Sequence, residues 1–225
     1  TKEKLISDVL SSLSTYDNST NAGLGTSVQN WYNLRGERSL SELDIPQSLS
    51  LSYVIELPFG KGKTFLSNLH GAPAKLVGGW QLSGIVTHRS GFPLSLSAPI
   101  TGGGNRPNST GVSAALPGGR SRQQEIAEWF DITQFTLPAA FTNGNVSRTL
   151  PNVRGPALTN FDLSLVKNTT LYERLKLELR GEAFNVMNTP HLWLPNTALY
   201  NTQFGQISST TGNPRVLQVA MKVMF

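Results

Sequence analysis

The sequence contains no cysteine, few charged residues and no long apolar run, and each absence excludes a class of protein. With no cysteine among 225 residues, disulfide frameworks, cysteine-based zinc sites and cysteine nucleophiles are excluded. Only 15% of the residues are charged and 38% are hydrophobic, which is too apolar for a disordered chain. No segment approaches the roughly 18 uninterrupted apolar residues of a membrane-spanning helix. A helical membrane protein is therefore excluded, but a membrane β-barrel is not.

Basic residues outnumber acidic ones, but they are spread along the chain. The 19 Lys and Arg residues against 14 Asp and Glu give a net charge of +5. Pairs such as Arg35 and Arg38 lie in separate turn-rich segments, without a basic stripe interleaved with aromatic residues. Because nucleic acid binding requires a concentrated basic footprint, we expect no nucleic acid partner.

Motifs for catalysis or metal binding are incomplete. The segment GKGKT at 60–64 resembles the end of a phosphate-binding loop, but Leu57 stands where the first glycine is required. His70, His88 and His191 are far apart and lack a second ligand at metal-binding spacing. We therefore expect no enzyme activity, no catalytic residue, no cofactor and no metal site.

The dominant pattern is the alternation of apolar and polar residues. In the first such segment, Leu49, Leu51 and Tyr53 alternate with Ser50 and Ser52. Alternation of this kind is typical of a strand with one apolar and one polar face. It recurs in five segments, which we predict to be strands: 45–57, 79–90, 160–167, 174–185 and 214–225.

The connections between these strands differ in length in a regular way. If consecutive strands run antiparallel, the shorter connections 58–78 and 168–173 lie on one side of the sheet. The long connections 91–158 and 186–213 then lie on the other side. Short turns on one side and long loops on the other are typical of outer-membrane barrels, and strands of about 9–11 residues span a bilayer when tilted. We predict an all-β, antiparallel, up-and-down transmembrane barrel segment with an apolar face toward lipid and long extracellular loops.

Two sets of side chains have expected places in such a barrel. Charged residues on the polar faces are predicted to line the lumen, where they either contact substrate or plug or keep the surface hydrated: Lys176, Glu178, Arg180, Glu182 and Lys222. Aromatic residues at the short-connection ends of the strands are predicted to form an interfacial girdle: Phe59, Trp80, Tyr172 and Phe225. The alternative is a soluble β-sandwich whose apolar faces meet in a core.

Several short motifs follow one another along residues 30–225. They are YNLRGER at 32–38, LSYVIELPFGKG at 51–62, GWQLSG at 79–84, SGFPL at 90–94, FDLSLVK at 161–167, LRGEAFNVMNTP at 179–190 and GNPR at 212–215. In this order they resemble the C-terminal barrel of Oar-like TonB-dependent transporters of Gram-negative bacteria. Each motif is short, and the specificity lies in their combination.

The resemblance implies a barrel of about 22 strands that is occluded by an N-terminal plug. Energy from the inner-membrane TonB complex moves the plug of such transporters and admits substrate. The resemblance also implies that the outer-membrane assembly machinery recognises the last strand by strand pairing, through alternate residues of a C-terminal signal. The residues that match this signal are Val219, Met221, Val223 and Phe225.

Five strands are too few to close around a plug, and neither a plug nor a TonB-contacting segment is recognisable. We therefore expect residues 1–225 to be the C-terminal portion of a larger barrel in the cell outer membrane, as a fragment or a truncated product. The expected partners are outer-membrane lipid, the remainder of the barrel and the plug, the assembly machinery, the TonB complex and an unidentified substrate.

The first 44 residues are less regular and are predicted to be a loop with a partial strand or a short helix. Leu5, Ile6, Val9, Leu10 and Leu13 fit helical spacing, which favours a helix near 4–13. Two other functions stay open at this point. One is a complete small outer-membrane barrel that acts as an adhesin, and the other is a secreted β-sandwich that binds glycans.

Overall fold

The computed structural model describes residues 4–5, 28–30, 32–101, 105–172 and 174–225. The chain forms two compact units. We call them the loop unit (Thr1–Gln47, Ser90–Ala157 and His191–Thr211) and the sheet unit (Ser48–Arg89, Leu158–Pro190 and Gly212–Phe225). The elements in chain order are β1 (Lys4–Leu5), β2 (Ser39–Leu40), β3 (Ser48–Glu56), α1 (Gly71–Val77), β4 (Trp80–Arg89), β5 (Asn108–Ser109), α2 (Arg122–Ala127), a 3₁₀ turn (Ile132–Gln134), β6 (Phe135–Thr136), β7 (Leu158–Tyr172), β8 (Leu175–Phe184), β9 (His191–Leu192), β10 (Thr210–Thr211) and β11 (Val216–Met224). Within the described ranges, neither α-helix has the length and hydropathy needed to cross a membrane.

The sheet unit is built on one antiparallel sheet of five strands in the order β3-β4-β7-β8-β11. Each long strand pairs with the long strand that follows it in the chain, which is an up-and-down arrangement. The predicted fold class is therefore confirmed. β3 and β11 form the two edges of the described sheet.

Two strands begin later than predicted because of proline. β3 begins at Ser48 rather than at residue 45, and β11 begins at Val216 rather than at residue 214. Pro46 and Pro214 lie just before these strands, and proline has no backbone N–H to donate to a neighbouring strand.

The third predicted strand is longer than its alternating core. β7 runs from Leu158 to Tyr172, so most of the predicted connection 168–173 belongs to the strand. Asn168 pairs with Glu178 and Thr170 pairs with Lys176. The polar composition of 168–170 suggested a turn, but backbone pairing with β8 and the β-branched threonines favour a strand.

The connection 58–78 contains a helix that the alternation did not predict. Its first part is a tight turn in which Phe65 N–H donates to Pro58 O and Gly60 N–H donates to Phe65 O, each at 2.9 Å. α1 follows, with Pro73 in its first turn, where the missing proline N–H is tolerated.

The predicted helix near residues 4–13 is wrong at its first positions. Lys4 and Leu5 form the short strand β1, which pairs with Ser39 and Leu40 of β2 in the loop unit. The remaining positions of that predicted helix lie outside the described residues.

The loop unit has a hydrophobic core of its own. Phe130, Phe135 and Phe204 pack edge to face, with ring centroids 5.2–6.1 Å apart. Aliphatic side chains complete the cluster: Leu94, Leu96, Ala114, Val146, Leu150 and Val153. α2 starts with a reciprocal capping box between Ser121 and Gln124. The long connections, which we predicted as loops, therefore fold around a common core.

Buried ion pairs join distant segments of the loop unit. Arg106 pairs with Glu37, and the two side chains are only 1% and 3% exposed. Burial lowers the pKa of Arg106, and the hydrogen bond that Arg106 donates to the Glu37 carboxylate opposes that shift. Arg154 pairs with Asp44 and also donates to the Asp44 carbonyl at 2.7 Å. Because removing one partner of the fully buried Arg106–Glu37 pair leaves a buried charge uncompensated, breaking that pair costs about 3–5 kcal/mol.

Candidate functional site

The register of the sheet places the apolar positions of the five alternating segments on the same face. Leu51 of β3 pairs with Val86 of β4, and Val86 pairs with Phe161 of β7. At the other side of the sheet, Gly181 of β8 pairs with Val219 of β11. Directly paired residues of antiparallel strands project from the same face. The sheet therefore has one largely apolar face. The opposite face carries most of the polar and charged side chains together with Val54, Ile85, Val166 and Phe184.

The apolar face is exposed in the sheet unit. Leu51 is 53% exposed, and at the β11 edge Met221 and Val219 are 70% and 86% exposed. Leu163 and Leu177, on inner strands, are half-buried by their neighbours. A soluble β-sandwich would enclose these side chains in its core. The strong exposure of the apolar side chains on β3 and β11 instead suits contact with an apolar solvent.

The polar face carries the predicted charged row. Lys176, Glu178, Arg180 and Glu182 occupy every second position of β8, and Lys222 of β11 lies directly opposite Glu178. The structure thus brings all five residues onto one face of the sheet, and their orientation toward a lumen stays a prediction.

The charges of this row pair with one another. Arg180 lies 2.9 Å from Glu178 and 3.7 Å from Glu182, each measured between nitrogen and carboxylate oxygen. All three side chains keep partial exposure, so each pair contributes less than about 1 kcal/mol to stability. The main physical effect of these charged side chains is to keep this face of the sheet hydrated.

The face of the sheet that carries the charged row is not uniformly polar. A depression of about 450 Å³ extends across four neighbouring strands. Its lining combines polar side chains, such as Ser52 of β3, Gln81 of β4, Ser164 of β7 and Arg180 of β8, with apolar ones: Val54, Ile85, Val166 and Phe184. In a barrel wall the apolar face lies outside and the more polar face lies inside, so we still expect the face with the charged row to line the lumen.

The comparison with protein families agrees with this geometry. The model of a family described as "Outer membrane beta barrel domain" matches residues 7–218, which is most of the chain. The chain belongs to this family. A search of the curated proteins and a search of the solved structures each gave no match. Membership of the outer membrane beta barrel domain family assigns the protein to the outer membrane, as the alternation and the connection lengths predicted.

The aromatic residues predicted as a girdle all lie at one end of the sheet of this barrel domain. Phe59 follows β3, Trp80 begins β4, Tyr172 ends β7 and Phe225 follows β11. We call this end, where the strands are joined by 57–79 and by the β7–β8 hairpin, the short-connection end. Trp80 is half-buried and the other aromatic side chains are exposed. Rings at this position are suited to the boundary between lipid and water, although that role stays a prediction.

Lys167 is a functional candidate that the alternation did not single out. It lies on the apolar face of the barrel sheet, next to Trp80, yet only 6% of it is exposed. Its ammonium group donates to the carbonyls of Lys75 and Gly78 and lies 5.4 Å from the centroid of the Trp80 ring. Donation to the last carbonyls of α1 satisfies groups that a helix end leaves unpaired.

Asn185 and Asn188 form a second site that sequence reasoning missed. Both have left-handed backbone conformations, with φ of 50°. The Asn185 side chain donates to Thr189 O and Asn213 O at 3.1 Å each and accepts from Thr189 N–H at 3.0 Å. Asn188 accepts from Arg215 N–H at 3.1 Å. These two residues hold the end of β8 to the segment that leads into β11. The motif NVMN at 185–188 was the only signal of this clamp.

The loop unit of the barrel domain contains a depression of about 340 Å³. Its polar lining consists of hydroxyl and amide side chains, among them Ser109, Ser113, Asn145 and Asn152, and its apolar lining includes Phe135 of the core. No residue of the described ranges that lines it is charged. A surface of this composition suits a neutral ligand that offers hydrogen bonds together with an apolar face.

Proposed function

We propose that this barrel domain is part of an Oar-like TonB-dependent transporter that takes up a nutrient across the Gram-negative outer membrane. The order of motifs from residue 32 to residue 215 supports the proposal through its resemblance to that family. Transport rather than catalysis is the function that the two faces of the sheet favour.

The observation that carries the proposal is the pairing state of the described sheet. β3 and β11 are its edges, and its five strands form an open sheet. In a bilayer every backbone N–H and C=O needs a partner, so a transmembrane barrel has no free edges. Further strands must therefore pair with β3 and β11, and a barrel of about 22 strands would have a lumen wide enough for a plug.

The residues of this chain have a scaffolding role in the proposed transporter. Apolar side chains such as Leu51 and Val219 contact acyl chains, and the row around Arg180 faces the plug and the water of the lumen. The loop unit captures ligand outside the cell, for which its core provides a rigid base. The TonB complex would act through the plug.

An adhesin is the second candidate, and the loop unit is the feature that favours it. A hydrophobic core and buried ion pairs give this unit a defined surface, which a binding protein requires. The adhesin would use the same barrel only as an anchor. The glycan-binding sandwich is not retained, because the apolar face of the sheet is exposed.

Energy dependence distinguishes transporter from adhesin. Cells that carry the full-length protein and cells that lack it would be incubated with a defined mixture of oligosaccharides, peptides and iron chelates, with and without a protonophore. We expect at least one compound to be depleted only by energised cells that carry the protein, and purified TonB periplasmic domain to bind the full-length protein. Absence of both effects would contradict the proposal, and adhesion without depletion would favour the adhesin.

A further inference from the structure

A basic depression lies at the short-connection end of the sheet unit. It measures about 320 Å³ and is lined by Lys61 and Lys63 of the turn after β3, by Lys75 of α1 and by residues 168–170 of β7. Among the residues that the structure describes, none that lines the depression is acidic. Glu56, at the end of β3, pairs with Lys63 at 2.6 Å and offsets one of the three positive charges.

Close backbone packing builds the walls of this depression. A Cβ atom on Gly60 would lie 2.6 Å from the Cα of Gly78, and one on Gly79 would lie 2.2 Å from the carbonyl oxygen of Asn168. Glycine at both positions therefore lets the turn, the end of α1 and β7 approach one another. The hydrogen bonds from Lys167 to the carbonyls of Lys75 and Gly78 also hold the end of α1 against β7.

The depression borders the apolar face. Lys167 and Trp80 are paired residues on that face. The Lys167 ammonium group donates to the carbonyls of Lys75 and Gly78, and Trp80 Nε1–H donates to the carbonyl of Leu76. The C-terminal end of α1 therefore lies on the apolar side of the sheet. Leu179 pairs directly with Lys167, and Leu165 lies two residues before it; both are exposed. Exposed apolar side chains also lie close to the basic residues in the sequence: Phe65, Leu66 and Leu76.

We propose that this depression binds the phosphate of an anionic phospholipid of the outer membrane, with the acyl chains along Leu165 and Leu179. Lysine binds phosphate as a point charge, and basic clusters at a membrane surface attract anionic headgroups. A free phosphate ion would gain nothing from the apolar border, which favours the lipid as the source. The inference depends on the membrane location of the barrel and does not depend on transport.

The test measures lipid retention by the full-length protein refolded in a non-ionic detergent. Native mass spectrometry after addition of phosphatidylglycerol, phosphatidylcholine or glycerol 3-phosphate would give the relative affinities. We expect phosphatidylglycerol to bind at least tenfold more tightly than phosphatidylcholine, because each lysine near the headgroup contributes roughly fivefold. Equal binding of the two lipids would overturn the proposal, as would binding of glycerol 3-phosphate as tight as that of phosphatidylglycerol.

Two matched triple variants locate the site. Lys61→Gln/Lys63→Gln/Lys75→Gln is expected to abolish the preference for phosphatidylglycerol. The control removes the same charge from exposed positions of the loop unit and is expected to keep the preference: Arg35→Gln, Arg38→Gln and Arg122→Gln. A preference that survives in the first variant, or is lost in the control, would overturn the proposal.

Folding of each variant would be verified by circular dichroism and by heat-modifiable migration in gels. Should the triple variant not refold, Lys61→Gln alone provides the measurement, since Lys61 lies in an exposed turn. This single variant is expected to lower phosphatidylglycerol affinity by roughly fivefold, and an unchanged affinity would overturn the proposal.

Discussion

At the scale of single residues, Asn185 shows how a polar side chain can determine a strand connection. Its left-handed backbone is costly for most residues, and asparagine tolerates it better than β-branched or bulky residues do. Its side chain replaces missing backbone partners at Thr189 and Asn213. The residue is buried, so water is not available to take over these bonds.

We predict that Asn185→Ala lowers the free energy of unfolding by roughly 2–4 kcal/mol, because buried bonds are lost and the left-handed backbone is retained. Urea unfolding in detergent micelles, followed by tryptophan fluorescence, measures the change. Asn185→Gly loses the same bonds without the backbone penalty and should be about 1 kcal/mol less destabilising. Asn168→Ala, at an exposed strand position, is the control and should change stability by less than about 0.5 kcal/mol. An Asn185→Ala variant as stable as this control would contradict the clamp.

Single residues were also the least predictable level. The alternation treats Asn185 as the polar residue that ends β8, and nothing in its neighbours indicates that Asn213 is its partner. The role of Lys167 was equally unpredictable. A lysine at the end of a row of alternating apolar residues does not indicate that its ammonium group will donate to the carbonyls at the end of a helix. Both roles depend on contacts between segments that only the register of the sheet brings together.

At the scale of elements, the strands were predictable from the two-residue period of their apolar positions. A strand in a sheet with one apolar face must place an apolar side chain at every second position. All five alternating segments are strands, and their apolar positions share one face. Boundaries were less accurate, since backbone pairing extends β7 through polar residues to Tyr172. α1 was missed because its seven residues bury no side chain, so it leaves no hydrophobic period in the sequence.

The last strand, β11, is predicted to act as a signal for the assembly machinery, a role that is separate from its contribution to the stability of the folded sheet. Phe225 is fully exposed, so Phe225→Ala should change stability in detergent by less than about 0.5 kcal/mol. If Val219, Met221, Val223 and Phe225 form the assembly signal, the same substitution should reduce the amount of folded protein in outer membranes severalfold. Heat-modifiable gel migration of membrane fractions measures this amount. Tyr172→Ala removes another exposed aromatic side chain from the same end and should have no such effect, and normal assembly of Phe225→Ala would contradict the signal.

At the scale of the whole molecule, the chain combines two kinds of order. The sheet unit uses contacts between strands that follow one another in sequence, which a periodic pattern reveals. The core of the loop unit brings together residues as far apart as Leu94 and Phe204, and the strands described in this unit are two residues long. Such contacts leave no period, and for this reason residues 91–158 and 186–213 were predicted as loops.

The central claim of the account is that the apolar face of the sheet contacts lipid and the polar face contacts water. Because the chain contains no cysteine, a nitroxide label on one introduced cysteine reports a single position. Val219→Cys and Met221→Cys sample the apolar face of β11, and Gln218→Cys and Ala220→Cys sample its polar face.

The decisive measurement is the relaxation of each label in lipid vesicles by oxygen, which concentrates in the bilayer, and by a nickel chelate, which stays in water. The account predicts an alternation with a period of two, in which labels at 219 and 221 respond to oxygen and labels at 218 and 220 respond to nickel. Equal responses at all four positions, or the opposite alternation, would contradict it.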